Sequence, residues 1–311
     1  MKAVVTGATG LIGSRLVSEL DGAIVLSRDP DVACSRFGSN TPAFAWSPDR
    51  GQPPAEAFAG VDAVFHLAGE PVAQGRWTAA KKRRIRESRV TGTRNLVATL
   101  AALERRPAVL IAASAVGYYG NRGNVALTES ATNESTFLGE VCAAWEAESL
   151  KAKDLGMRVV VARIGIVLAP NGGALPRLLP PFRLGLGGPL GSGSQWMPWV
   201  HIDDVLGLLL HAARTETLSG PMNVVAPNPI TNAVFTKTLG QVLRRPALLS
   251  VPRLGLWVAF GELSQVLLAS QRVVPLVAKR TGYCFCYEEL QPALEACVGT
   301  SIERPFDGAR K

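Results

Sequence analysis

Short apolar runs punctuate the first half of the chain, at Ala3–Val5, Ala23–Leu26, Ala63–Leu67, Val109–Ala112 and Arg158–Val161. Between them, apolar residues recur at helical spacing over Leu11–Leu20, Thr78–Glu104 and Phe137–Asp154. Strands alternating with helices predict a parallel sheet covered by helices on both faces. Strands buried on both faces read as continuous apolar runs, as these do. The expectation for residues 1–165 is therefore an α/β, Rossmann-type doubly wound domain. From Ile166 to Gly193 the chain is crowded with Gly and Pro, and Pro180–Pro189 is expected to form a long loop system. Later patterns predict a helix at Asp203–Ala213, a strand at Met222–Val225, and helices at Asn232–Leu243, Leu254–Ser270 and Glu288–Cys297. Residues 166–311 are expected to form a smaller, mostly helical substrate lobe, with a small C-terminal domain at about 250–300. A return of the segments around 195–230 to the sheet stays open.

Directly after the first strand comes Thr6-Gly7-Ala8-Thr9-Gly10-Leu11-Ile12-Gly13, which also opens a helix. Its glycines sit where a dinucleotide-binding turn needs them. Gly7 permits the tight turn, Gly10 lets backbone approach a pyrophosphate, and Gly13 lets helix and strand pack closely. The amides and dipole of the helix N-terminus then face the phosphates. Gly7, Thr9, Gly10, Leu11, Ile12 and Gly13 are the first candidate contacts.

The end of the second strand selects the dinucleotide. A site for NAD usually carries Asp or Glu there, whereas this chain has Leu26-Ser27-Arg28. A guanidinium at that place matches a 2′-phosphate, so Ser27 and Arg28 predict NADP(H). The alternative is a surface arginine without a ligand. The stretch His66-Leu67-Ala68-Gly69 ends the next predicted long strand, where small residues let a cofactor lie against backbone. Arg89, in the basic run Lys81–Arg89, either reaches the cofactor or belongs to a solvated helix face.

Composition narrows the classes. The chain of 311 residues carries a formal charge of +8, which favours anionic partners such as phosphorylated cofactors. No zinc-finger spacing or aromatic RNA-binding signature accompanies the charge, so no nucleic-acid partner is expected. The five cysteines are irregularly spaced and histidine occurs three times, which predicts neither a disulfide framework nor a metal site. No apolar run reaches the roughly 18 to 20 residues of a membrane span. With no leader pattern, a reducing cytoplasm is the expected setting and no membrane partner is expected. The expected partner is a small-molecule substrate, and the expected state is monomer or homodimer.

Several motifs together resemble a known family. The Gly7–Gly13 loop, Leu67-Ala68-Gly69, Ala113-Ser114-Ala115-Val116-Gly117-Tyr118-Tyr119-Gly120 and Val200-His201-Ile202-Asp203-Asp204 resemble the extended branch of the short-chain dehydrogenase/reductase superfamily. Ala68–Pro71, Gly75-Arg76-Trp77, Ser88-Arg89, Arg163–Leu168 and Pro181–Pro189 are similar to its atypical, sugar-nucleotide-epimerase-like subgroup. The stretch from Val274 to Ala296 is similar to that subgroup's small C-terminal domain of unknown function. The resemblance implies an NADP-binding Rossmann fold. It places cofactor contacts at the glycine loop, Ser27, Arg28, Leu67, Ala68, Arg89 and the backbone near Val167, with Ser114 and Arg163 added from their motifs.

The pattern breaks at the chemistry. Active members of the superfamily carry a Tyr-x-x-x-Lys pair that exchanges a proton as hydride moves. Here Leu138 stands at the expected Tyr and Cys142 at the expected Lys. Nucleotide-sugar enzymes often carry an Arg before the Val-x-x-Asp-Asp segment, and Met197 stands there, with Arg177 or Arg183 as substitutes from the preceding loop. Trp196 and Trp199 suggest either an apolar wall or structural packing. Ser114 and Tyr118 are the candidate catalytic groups, with Glu70 and His201 as further options, while Asp203 and Asp204 are expected to cap the following helix. Two function classes remain: an NADP(H)-dependent oxidoreductase or epimerase-like enzyme on a small molecule, and a non-catalytic NADP(H)-binding sensor or regulatory protein.

Overall fold

The structure, a computed structural model, describes residues 1–299. Strands β1 (Lys2–Thr6), β2 (Gly22–Ser27), β3 (Ala43–Ala45), β4 (Ala63–His66) and β5 (Val109–Ala115) alternate with helices α1 (Leu11–Ser18), α2 (Pro30–Phe37) and α3 (Ala79–Ala102). After the short β6 (Ala126–Leu127) come α4 (Phe137–Leu150) and β7 (Arg158–Ile164). The chain continues through β8 (Ile166–Ala169), β9 (Gly172–Gly173), α5 (Leu175–Arg183), β10 (Trp196–Met197), β11 (Trp199–His201), α6 (Ile202–Arg214) and β12 (Gly220–Val224). It closes with β13 (Ile230–Thr231), α7 (Asn232–Leu243), α8 (Arg253–Phe260), α9 (Leu263–Leu268), β14 (Arg272–Val273), α10 (Leu276–Arg280) and α11 (Leu290–Val298).

Seven strands form one sheet in the order β12-β7-β5-β4-β1-β2-β3, and every neighbouring pair is parallel. Alternation along each strand feeds two cores. Ala3, Val5, Phe65, Ile111 and Val160 face α1 and α6 on one side. Val4, Val64, Leu110 and Val161 face α3 on the other, with Leu96, Val97 and Leu100 packed against them. The strand order reverses between β1 and β4, the place where open α/β sheets bind ligands at the carboxyl ends of their strands. The chain returns to this sheet after residue 166, because β12 pairs with β7.

Two local expectations need correction. The Gly/Pro-rich stretch is not loop throughout, since Leu175–Arg183 is the helix α5 despite Pro180 and Pro181. The helix is short, its second residue is the tolerated Pro176, and it ends soon after the other two prolines. Leu254–Ser270 is two helices, interrupted at Gly261. The last part of the expected lobe, 300–311, lies outside the described residues. Among the described residues, no helix is long and apolar enough to cross a membrane, and no cluster could hold a metal.

Candidate functional site

The Gly7–Gly13 loop leaves β1 and Leu67–Gly69 leaves β4, so the two flank the switch point. They are in contact: a Cβ on Gly7, whose φ is +68°, would lie 2.7 Å from the Leu67 carbonyl carbon and oxygen. The Gly10 amide donates to the Gly7 carbonyl (3.0 Å), closing the turn. Gly10 then caps α1 without a side chain, and the first turn of α1 contains no acid. Its amides are left for an anion.

A buried relay latches the two loops. The Leu67 and Ala68 amides both donate to Thr6 Oγ1 (3.1 Å each), and Thr6 Oγ1 meets His66 Nδ1 at 2.8 Å. With both lone pairs used, the Thr6 hydroxyl donates its proton to Nδ1. His66 Nε2 then carries the ring proton and donates to Thr93 Oγ1 at 2.9 Å. His66 was expected among the cofactor contacts. Its ring is instead fully buried with both nitrogens engaged inside the protein.

Burial pushes the His66 pKa down to about 4 from 6.5. The unfolded chain takes up this proton as pH falls through about 6.5, whereas the folded chain does not. Stability from neutral His66 is therefore complete above pH 6.5 and declines as pH falls towards 4, by about 3 kcal/mol. The expected outcome in an NMR titration is a His66 ring that stays neutral until about pH 4, with urea midpoints falling over the same window. A ring that titrates near pH 6.5 would contradict the relay.

At the end of β2 the Ser27 hydroxyl turns into its own loop and donates to the Asp29 carbonyl (2.9 Å). Arg28 is exposed and, among the described residues, has no hydrogen-bond partner. Sequence reading missed a second cation: Arg36, on α2, donates to the Thr9 carbonyl of the glycine loop at 2.9 Å. Asp29 as N-cap followed by Pro30 at the first helical position was the signal for α2.

The basic run on α3 divides by helical face. Arg83, Arg84 and Arg86 are exposed. Lys81 is 6% exposed and pairs with Glu70 at 2.7 Å, which holds that carboxyl below its ordinary range and makes it an anchor. Arg89 turns inward, donates to the Glu70 carbonyl (3.0 Å) and lies over the Trp145 ring at 5.1 Å. A Cβ on Gly69 would sit 3.1 Å from its guanidinium carbon, so Arg89 borders the end of β4.

One face of α4 presents Leu138, Cys142 and Glu146 at successive turns. Leu138 packs 3.3 Å from where a Cβ of Gly117 would lie, beside the turn after β5. The Cys142 thiol is buried, and burial raises its pKa to about 11, so it is a neutral, inert thiol. Glu146 closes the series. It accepts the Ser114 hydroxyl (2.6 Å) and pairs with both Nε (2.9 Å) and Nη2 (2.8 Å) of Arg163, the neighbour of Ser114 in register. Arg163 Nη1 donates to Tyr119 Oη (2.9 Å) and the Glu129 carbonyl (3.1 Å).

This cluster turns two of the expected site residues inward. Arg163, expected to touch the cofactor, is 3% exposed and all three of its nitrogens are engaged within the protein. Ser114, expected as a catalytic hydroxyl and cofactor contact, spends its proton on Glu146. Tyr118 is differently placed. It is half-buried, its ring lies 3.6 Å from the Arg163 guanidinium carbon, and its hydroxyl has no hydrogen bond among the described residues.

The remaining candidates lie around α6 and the segments that precede it. His201 is buried, and it rather than either aspartate caps α6, accepting the Asp203 amide at 3.2 Å. Asp203 pairs with Arg15, and Asp204 accepts the Cys286 and Tyr287 amides and the Tyr283 hydroxyl, fastening the C-terminal segment to α6. Trp199 is core, while Trp196 is half-buried beneath Arg272. Val167 pairs with Val200, next to the β9 turn that packs on Leu11. Arg177 donates to the Ala73 carbonyl. Arg183 lines a separate groove of about 1590 Å³ with Asp203, Arg244, Tyr287 and Glu295, to which none of the expected cofactor contacts contributes.

The chain is similar to known proteins. Residues 3–225 match the NAD dependent epimerase/dehydratase family, and residues 251–297 match a domain of unknown function, DUF1731. The chain is 40% identical over 304 residues to an epimerase family protein of Mycobacterium tuberculosis, covering 97% of each. It is 39% identical to the chloroplastic SDR39U1 homolog of Arabidopsis thaliana, covering 96% of this chain and 87% of that one. The crystal structure of human epimerase family protein SDR39U1 with NADPH superposes with a TM-score of 0.86 at 32% identity, covering 97% of this chain and all of that one. UDP-glucuronic acid 4-epimerase from Bacillus cereus shares the fold at a TM-score of 0.76 and 18% identity. With its nucleotide loop at the sheet's switch point and the C-terminal module on α6, the chain belongs to the NAD dependent epimerase/dehydratase family, in the group that carries a DUF1731 domain.

Proposed function

We propose that this protein is an NADP(H)-dependent oxidoreductase acting on a small organic molecule, with Tyr118 in the place of the missing Tyr of α4. The observation that carries the reading is the cradle after β1. It has no room for a side chain at Gly7 or Gly13, open amides at α1, and at the end of β2 the exposed Arg28, which makes no hydrogen bond among the described residues. NADPH in the human relative's structure is consistent with it. Gly7, Thr9, Gly10, Leu11, Ile12 and Gly13 would hold the pyrophosphate. Ser27 and Arg28 would hold the 2′-phosphate, with Arg36 a further cation at the glycine loop. Leu67, Ala68, Gly69, Arg89 and Val167 would border the rest. The cofactor when bound would supply or accept a hydride.

The protein's own part is the proton. With leucine at 138 and a neutral thiol at 142, the phenol of Tyr118, whose ring stacks on Arg163, is the group left to donate a proton from its Oη. Ser114, held by Glu146, fixes the turn that carries it. The test is a screen of carbonyl, enone and sugar-nucleotide compounds for loss of reduced-nicotinamide absorbance. Tyr118→Phe is expected to lower kcat by at least about a hundredfold, and Ser114→Ala by much less. Turnover unaffected by Tyr118→Phe would remove the assignment. A non-catalytic sensor is the second reading, favoured by Leu138, Cys142 and the inward Ser114. Tight NADPH binding without hydride loss to any compound would select it.

A further inference from the structure

Helix α8 buries only Leu256 among its side chains. Leu254 and Trp257 are 72% and 61% exposed, and Leu248 and Leu249, on the approach to the helix, are 84% and 54% exposed. Leu184 and Leu186, in the loop after α5, stand equally far into solvent. Backbone contacts stitch the two segments together. The Leu249 amide donates to the Gly187 carbonyl (3.2 Å), Val251 to Pro189 (2.8 Å) and Gly191 to Val251 (2.8 Å). Six large apolar side chains therefore share one edge of the C-terminal lobe, and an apolar area of this kind marks an interaction surface.

Charge identifies the partner. Residues 155–202 and 217–261 contain no Asp or Glu, yet besides Arg158 and Arg163, which are engaged within the protein, they carry Arg177, Arg183, Lys237, Arg244, Arg245 and Arg253. Of the acids that border these stretches in sequence, Asp203 is paired with Arg15 and Glu262 with Lys82. A two-fold contact between copies would set this basic rim against itself. A nucleic acid would call for stacking rings, whereas the tips here are leucines around one tryptophan. Leucine and tryptophan interleaved with arginine, as Arg245 and Arg253 are with Leu248, Leu249, Leu254 and Trp257, is the pattern that lies in the headgroup layer of a bilayer.

We propose that this edge docks the protein peripherally on an anionic lipid surface. Leu184, Leu186, Leu248, Leu249, Leu254 and Trp257 enter the headgroup boundary, and the arginines face lipid phosphates. A contact of this kind needs no spanning helix, so the absence of a long apolar run does not bear on it.

The test is co-sedimentation of the full chain with phosphatidylcholine vesicles, with and without phosphatidylserine. Sedimentation with the anionic vesicles alone, weakened by salt, is expected. Each cation near such a surface contributes about fivefold to binding. Arg245→Glu with Arg253→Glu should therefore weaken binding by more than about tenfold, and Leu248→Glu with Leu249→Glu should do the same. Both pairs should keep the circular dichroism spectrum and NADPH affinity of the wild type. No binding to anionic vesicles, or equal binding to neutral ones, would overturn the proposal. So would a dimer lost in Leu248→Glu without vesicle binding, or retention on an oligonucleotide in place of lipid.

Discussion

Gly13→Ala is expected to weaken NADPH binding by at least about a hundredfold. A Cβ at this position would lie 2.3 Å from the Gly7 carbonyl oxygen and 2.8 Å from the Ala8 Cα. Both are backbone atoms, so no side chain can rotate away and the turn itself must move. The amides of Gly10 and α1 would then no longer converge on one anion. Losing two charge-assisted hydrogen bonds, each worth about 1.5–3 kcal/mol, gives that factor or more. Stability is expected to fall less, by about 1–3 kcal/mol, as for other overpacked sites. Calorimetric titration with NADPH and urea unfolding separate the two effects. Wild-type affinity in Gly13→Ala would mean that the loop does not hold phosphate.

Glu146→Ala is expected to destabilise the fold by about 3–5 kcal/mol, because it strands the Arg163 guanidinium in the core. Arg163 is 3% exposed and Glu146 6% exposed, so solvent does not compensate the loss. The charged pair itself need not be worth this much, since forming it required desolvating both ions. Glu146→Leu combined with Arg163→Met should therefore recover much of the loss of Glu146→Ala. Urea unfolding of both variants checks this. A single variant as stable as wild type, or a double variant weaker than the single, would contradict the account.

How much of this could be read from the sequence depended on what each residue was reporting. The sheet was legible because strands buried on both faces leave unbroken apolar runs, and β1, β2, β4, β5 and β7 all do. Strand β3 was not, being three residues long with none fully buried. Helix α2 was hidden by low apolar content despite its Asp29-Pro30 start. The glycine loop was legible because steric demand at Gly7 and Gly13 admits one residue type. The inward placement of Arg163 and His66 was not legible for a shared reason: a motif gives position along a strand, while burial depends on partners distant in sequence. For Arg163 those are Glu146 and Tyr119, and for His66 they are Thr6 and Thr93. Glu146 was missed because a carboxylate on an otherwise ordinary helix carries no signal until β7 sets Arg163 opposite it.

The most direct test of the account is a calorimetric titration of NADPH and NADH into the wild type and into Arg28→Glu. The account predicts that wild type prefers NADPH. It predicts that the exchange weakens NADPH by roughly ten- to hundredfold through loss of the 2′-phosphate contact, leaving NADH little changed. Equal affinity of wild type for the two cofactors, or equal losses of both in Arg28→Glu, would contradict it.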